Sequence, residues 1–286
     1  MTRLHVEQPG PLALVEDLGR PGFARLGVAA SGAVDRRALT LANRLVGNPD
    51  GAAALELLVG GFRARFEGEA WFAVTGAWGS TRLDGRPVAP YTAVRAADGS
   101  VLEVGVAERG IRYLLAVRGG LDVPPVLGSR SRDTLAGIGP EPLRPGDVLD
   151  VGAAPAASVP VVVQDVAFPP PEGAVTLALR PGPRADWFTD AARQALFDSE
   201  WRLSEQADRI GARLVGPALE RLRDGELESE ATVPGSIQVS TGGQPTILLA
   251  DRPVTGGYPV IAIVARGSLD AVAQLRPGQG VRFRHA

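Results

Sequence analysis

Apolar and charged residues alternate along 62–66 (Phe-Arg-Ala-Arg-Phe), the pattern of a half-buried β-strand. Residues 71–75 form a more continuous apolar run, as a strand covered on both faces would. Further short runs at 113–117, 175–179, 246–249 and 260–264 are rich in aliphatic and β-branched residues and read as strands. Asp84-Gly85, set between Leu83 and Arg86, is the signal of a tight hairpin. Helical spacing is rarer. It appears at 35–46, where Ala38, Leu41, Ala42 and Leu45 share a face, Asp35 is a suitable N-cap and Gly47 a stop. A second helix is predicted near 190–197 and a short third at 269–274.

One internal echo divides the chain. Leu143-Arg144-Pro145-Gly146 and Leu275-Arg276-Pro277-Gly278 each place a Pro-Gly turn before a strand, near the end of one half. Residues 152–173 between the halves are rich in Ala and Pro, and Asp165 and Glu172 there read as solvated carboxylates. The pattern predicts a mainly β protein: an N-terminal lobe over 1–151 with one helix, a connection over 152–173, and a C-terminal lobe over 174–286. Short strands with frequent turns, fed by 36 glycines and 24 prolines, suggest sandwiches or barrels.

Composition removes many mechanisms. There is no cysteine, and all 30 basic residues are arginine. Thiolate nucleophiles, disulfides, Schiff bases, a P-loop lysine and covalently attached biotin are thereby excluded, and no metal site is expected. His5 and His285 stand at opposite ends, which disfavours a Ser-His-Asp triad. A net charge of −2 argues against a nucleic-acid or anionic-membrane partner. No apolar run is long enough to span a bilayer, and residues 1–20 carry charges throughout, so no signal peptide and a cytoplasmic location are expected.

The remaining chemistry rests on carboxylates, arginines, hydroxyls and amides. It is densest over 15–48, where Asp17, Arg20, Ser31 and Asp35 lie among Gly19, Gly22, Gly27 and Gly32. This reads either as a surface for a small polar ligand or as a loop tied down by Asp–Arg pairs. Arg20 lies between glycines, so no packed stem is expected for it. Asp35 is expected to cap a helix rather than to catalyse. Glu56, in the run Leu55-Glu56-Leu57-Leu58, is either desolvated and functional or on the open face of a strand. In the second half, Ser229-Glu230, Ser236-Ile237-Gln238, Asp251-Arg252 and Thr255-Gly256-Gly257-Tyr258-Pro259 read as a pocket rim or as loops ordered by local hydrogen bonds.

Several of these runs resemble one family. They are Val15-Glu16-Asp17-Leu18-Gly19-Arg20, Ser31-Gly32-Ala33, Asn43 to Asn48, Gly119-Gly120-Leu121-Asp122, Leu127-Gly128-Ser129-Arg130-Ser131, Asp208-Arg209-Ile210-Gly211 and Thr255-Gly256-Gly257-Tyr258-Pro259. In order and spacing they resemble the allophanate hydrolase subunit 2 family. That family includes the C subunit of bacterial 5-oxoprolinase, the carboxyltransferase half-domain of urea amidolyase and an antagonist of a sporulation-kinase inhibitor. The resemblance implies a cyclophilin-like β-barrel architecture with two β-lobes. It also implies a hetero-oligomer with a separate subunit-1 homologue, ATP as co-substrate at a site on or shared with that partner, and a small amide or lactam substrate. With it, Glu230, Tyr258 and Asp17 are expected to be catalytic. Arg20, Ser31, Gly32, Glu56, Gln238, Asp251, Gly256 and Gly257 are expected to bind substrate. Glu230 and Tyr258 are expected to line one cavity facing the Arg20 segment.

Overall fold

Among the described residues most strands join one of two hydrogen-bonded systems, each with its own apolar core, and one two-stranded ribbon stands apart from both. The computed structural model describes residues 2–159, 169–223, 225 and 227–286, so Asp165 and much of the expected connection lie outside the described residues. The chain divides into two units: Met1–Arg20, Asp35–Asp133 and Gly137–Pro170 form the first, and Pro21–Val34, Thr134–Ala136 and Pro171–Ala286 form the second.

The first unit holds a nine-stranded sheet. Its main order runs Leu12–Glu16, Ala54–Leu58, Val101–Val117, Phe62–Glu67, Arg3–Gln8, Val148–Asp150. The long strand Ala70–Leu83 pairs with Val101–Val117, setting Phe72 opposite Val117 and Val74 opposite Leu115. Residues 72–75 are buried on both faces, as their unbroken apolar run requires. Removing a side chain such as Phe72 from water contributes about 1.5–3 kcal/mol. At the hairpin, Asp84 and Gly85 take φ of 51° and 74° between the paired Leu83 and Arg86. Two successive left-handed residues make the turn whose twist matches the strands.

Helix α1 spans Arg36–Leu45, and the Asp35 carboxylate accepts from the Ala38 N–H at 2.8 Å. Its buried face differs by one position from the expected one: Leu39 is fully buried and Leu41 only half-buried. The reason is polar. Asn43 also faces inward, where its amide donates to the Ala52 carbonyl at 2.8 Å, and this turns the helix.

The second unit is a closed seven-stranded barrel. Its strands run in the order Val175–Pro181, Val260–Val264, Ser236–Val239, Pro245–Leu248, Gly211–Val215, Trp201–Leu203, Gly280–His285. The last strand returns to the first in parallel, with Val175 opposite Val281, so the barrel leaves no open edge. Leu177, Phe188, Trp201, Ile237, Ile247 and Val281 fill its core. Helix α2 (Asp190–Asp198) is capped by Thr189. Helix α3 (Arg266–Ala273) begins before its apolar signal at Leu269, because an extended Ala265 ends the preceding strand and starts the first turn.

The echoed turns do the same work in each unit. Gly146 and Gly278 take φ of 94° and 80°, and the Asp147 and Gln279 N–H groups close on the carbonyls of Arg144 and Arg276. Each turn delivers a strand that pairs with the first strand of its unit.

Candidate functional site

Three of the expected site residues meet around Asp251 in the second unit. Asp251 lies just beyond the strand Pro245–Leu248 and is completely buried. One carboxylate oxygen accepts from Ser31 Oγ at 2.6 Å and Arg209 Nη2 at 3.1 Å. The other accepts from Arg209 Nε at 2.8 Å and from the Thr134 N–H and hydroxyl at 3.0 and 2.7 Å. Arg209 Nη2 also donates to the Gly32 carbonyl at 2.8 Å. Burial pushes the Asp251 carboxyl up, but the Arg209 charge and the donated hydrogen bonds outweigh it and hold it below the ordinary range. Asp251 is therefore an ionised anchor. It fixes Ser31, whose φ of 54° is left-handed and costs energy in a residue with a β-carbon.

A second cluster gathers Glu230, Gln238, Gly256, Gly257 and Tyr258. The short strands Glu230–Ala231 and Thr255–Gly256 pair, with Glu230 opposite Gly256. Gln238 Nε2 donates to the Tyr258 carbonyl at 3.2 Å. A β-carbon on Gly256 would stand 2.5 Å from that amide nitrogen, so any larger residue there displaces the Gln238 side chain. A β-carbon on Gly257 would stand 3.2 Å from the Leu227 carbonyl oxygen. Tyr258 is half exposed, and the Arg221 guanidinium lies 5.9 Å from its ring centroid. Arg184 grips Glu230 with both a Nε–Oε2 contact of 3.0 Å and a Nη2–Oε1 contact. The hydrogen bond from Arg184 holds the Glu230 carboxyl below its ordinary range, so at neutral pH it accepts hydrogen bonds and does not donate a proton.

Asp17 and Arg20 occupy the first unit, and both are buried. The Asp17 carboxylate accepts from the Gly19 N–H (2.7 Å), Ser129 Oγ (2.6 Å), Ser131 Oγ (2.6 Å) and the Arg130 N–H (2.7 Å). The structure corrects the expectation that Arg20 has no packed stem. Its side chain is 1% exposed, with Nη2 on the Ser131 carbonyl and Nε 3.4 Å from that of Val126. The neighbouring glycines let the chain turn inward rather than outward. Together the two side chains pin the segment 126–131 against the end of the strand Leu12–Glu16.

The structure shows Glu56 desolvated and not on an open strand face. The side chain is 4% exposed and its Oε1 lies 3.6 Å from Arg112 Nε. Residues 54–57 are all buried, so the strand Ala54–Leu58 offers no open side there. Among the described residues, no group of three acidic or histidine side chains is placed to hold a metal ion. No described helix is long and apolar enough to cross a membrane.

Sequence reasoning does not pick out the partners Arg209, Thr134, Arg184 and Arg221 as site residues. Arg209 falls in the run Asp208-Arg209-Ile210-Gly211, and that run is the available signal. Thr134 and Arg184 carry none, because each meets its carboxylate from far along the chain.

The carboxyltransferase domain family, subdomain A and B, matches residues 26–285. The 5-oxoprolinase C subunit of Escherichia coli (strain K12) is 39% identical over 284 residues, which cover 98% of this chain and 90% of that protein. Urea amidolyase of Saccharomyces cerevisiae is 31% identical over 308 residues, covering 99% of this chain but 16% of that protein. Among solved structures, TTHA0988 superposes with a TM-score of 0.89 at 38% identity, and this chain spans 56% of it. Urea amidolyase of Kluyveromyces lactis gives a TM-score of 0.90 at 31% identity, and this chain spans 18% of it.

Proposed function

Since this chain belongs to the carboxyltransferase domain family, subdomain A and B, we propose that it serves in an ATP-dependent 5-oxoprolinase beside a separate subunit-1 homologue. The observation that carries the reading is the end-to-end match to the Escherichia coli relative, where 98% of one chain aligns with 90% of the other. The reaction is 5-oxo-L-proline, ATP and water to L-glutamate, ADP and phosphate, in the cytoplasm, where ATP is available. A lactam resists water. Phosphoryl transfer to its oxygen activates the ring, and positioned donors stabilise the charge that develops.

In this reading the second unit contributes substrate contacts. The half-exposed Tyr258 hydroxyl and the Glu230 carboxylate face the substrate. Gly256 and Gly257 let Gln238 and the Leu227 carbonyl close on the turn and order it, and Asp251 with Arg209 holds the Ser31–Gly32 backbone in shape. Asp17, Arg20 and Glu56 act at a distance, by fixing the segments around them. The nucleotide site is shared with the partner.

The test is co-expression with a subunit-1 homologue and its neighbouring lactam-utilisation protein. We expect phosphate and glutamate to form in equal amounts only when 5-oxo-L-proline is present. A second reading, transfer of a carboxyl group from carboxybiotin on another chain, is favoured by the family description and the fold match to urea amidolyase. An assembled complex that ignores 5-oxo-L-proline but decarboxylates carboxybiotin would replace the first reading by the second.

A further inference from the structure

Arg252 links the two clusters of the second unit. It follows Asp251 directly, and its Nη2 lies 3.4 Å from the carbonyl of Thr232, the residue after the strand Glu230–Ala231. That contact is long for a hydrogen bond. Nε and Nη1 have no acceptor among the described residues. A guanidinium carries five N–H donors and keeps its charge at neutral pH, so most of this one's donors are idle. The residue is 9% exposed and its Nε and Nη1 are themselves buried, which screens the charge from solvent.

The neighbouring carboxylates are already engaged. Asp251 is saturated by Arg209, Ser31 and Thr134, and Glu230 is gripped by Arg184. Burial pushes the Arg252 pKa down. A water molecule would satisfy one or two donors but not the charge. An apolar side chain of the same length would be more stable in this setting. A cation that costs stability and presents free donors between two functional clusters is suited to binding an anion.

We infer that Arg252 is an oxyanion-binding residue that receives the substrate carboxylate or a nucleotide phosphate. Naming these two sources rests on the 5-oxoprolinase reading; the anion site itself rests on the side chain's surroundings. Planar carboxylates and phosphates both match the guanidinium fork.

The experiment compares the full chain with Arg252→Met and Arg252→Lys. Melting temperatures are recorded alone, with millimolar 5-oxo-L-proline, and with millimolar inorganic phosphate. Arg252→Met should melt at or above the unmodified chain when no anion is present. At least one anion should raise the melting temperature of the unmodified chain, and Arg252→Met should lose that rise. A response to 5-oxo-L-proline alone identifies the carboxylate as the source, and a response to phosphate alone identifies the nucleotide. In the assembled complex, Arg252→Met should raise KM for the matching substrate on the order of 10- to 100-fold, as loss of a charged hydrogen bond does, with a smaller change in kcat. Arg252→Lys should restore part of it. If Arg252→Met melts lower and every anion response and KM is unchanged, Arg252 is structural and the inference is wrong. It is equally wrong if neither anion shifts the unmodified chain and KM does not move. A complex inactive on 5-oxo-L-proline overturns the functional reading, while the melting experiments still decide the anion site.

Discussion

Asp251 gathers five hydrogen bonds on two oxygens with no exposure to water. Such an anion is stable only while every donor stays in place. Asp251→Asn should therefore cost on the order of 3–5 kcal/mol, the loss typical of breaking a buried pair and stranding its cation, here Arg209. Denaturant unfolding measures it. The pH dependence follows from the depressed folded-state pKa. The unfolded carboxyl titrates near its ordinary value, so the stabilisation is complete above that value and is lost as pH falls through the lower folded value. The stability gap between the unmodified chain and the Asp251→Asn variant should narrow below about pH 4. A gap that stayed constant into strong acid would mean that charge is not what Asp251 contributes. Glu230 and Tyr258 are different in kind, being partly exposed and lightly packed. Glu230→Gln with Tyr258→Phe should lower turnover of the complex on the order of 10²-fold while barely moving the melting temperature. Full activity in that double variant would remove both from the site. The sequence shows the carboxylates and hydroxyls of these clusters by type. It does not show their arginines: Arg209 reaches Asp251 from 42 positions away and Arg184 reaches Glu230 from 46. Such pairs depend on barrel closure, which no local pattern encodes.

Two glycines show how the elements differ in tolerance. Gly182 follows the strand Val175–Pro181, and a β-carbon there would stand 2.3 Å from the Val260 carbonyl oxygen and 2.7 Å from the Ala262 nitrogen. Both are backbone atoms of a paired barrel strand and cannot swing aside. At Gly256 the obstacle is the Gln238 amide, the end of a flexible side chain. Gly182→Ala should thus destabilise the barrel by about 1–3 kcal/mol, as overpacking does. Gly256→Ala should leave the melting temperature within a few degrees yet weaken substrate binding, by pushing Gln238 off the Tyr258 carbonyl. Calorimetry and KM on the two variants separate the effects. Equal melting losses at both sites would show that the Gly256 turn is scaffold. Elements of this kind are largely legible in the sequence. The strands at 62–66, 113–117 and 260–264, the Asp84-Gly85 hairpin and the Asp35 cap follow from alternation, turn chemistry and capping, all short-range effects. The buried face of α1 is less so, because an inward Asn43 overrides the apolar stripe.

At the scale of the molecule, the echoed Pro-Gly turns announce two β systems, and each closes on its own first strand. What the linear pattern does not reveal is that Pro21–Val34 and Thr134–Ala136, early in the chain, belong with the barrel. Ser31, Gly32 and Thr134 explain it: they complete the shells of Asp251 and Arg209 across separations of 117 to 220 residues. In the proposed 5-oxoprolinase, ATP would need a site that this chain does not supply by itself. The chain contains no lysine and no P-loop motif. Two of the arginines at its clusters are committed, Arg209 to Asp251 and Arg184 to Glu230, and a single further cation such as Arg252 does not neutralise a triphosphate. Phosphoryl transfer needs several positive charges and positioned amides around the transferred group. The purified chain should therefore hydrolyse no ATP by itself. Co-expressed with a subunit-1 homologue, it should elute as one species in size-exclusion chromatography at micromolar concentration, and that species should hydrolyse ATP when 5-oxo-L-proline is added. Separate elution of the two chains would rule out a stable complex. ATP hydrolysis by this chain alone, surviving rigorous purification, would place the nucleotide site here and overturn the shared-site view.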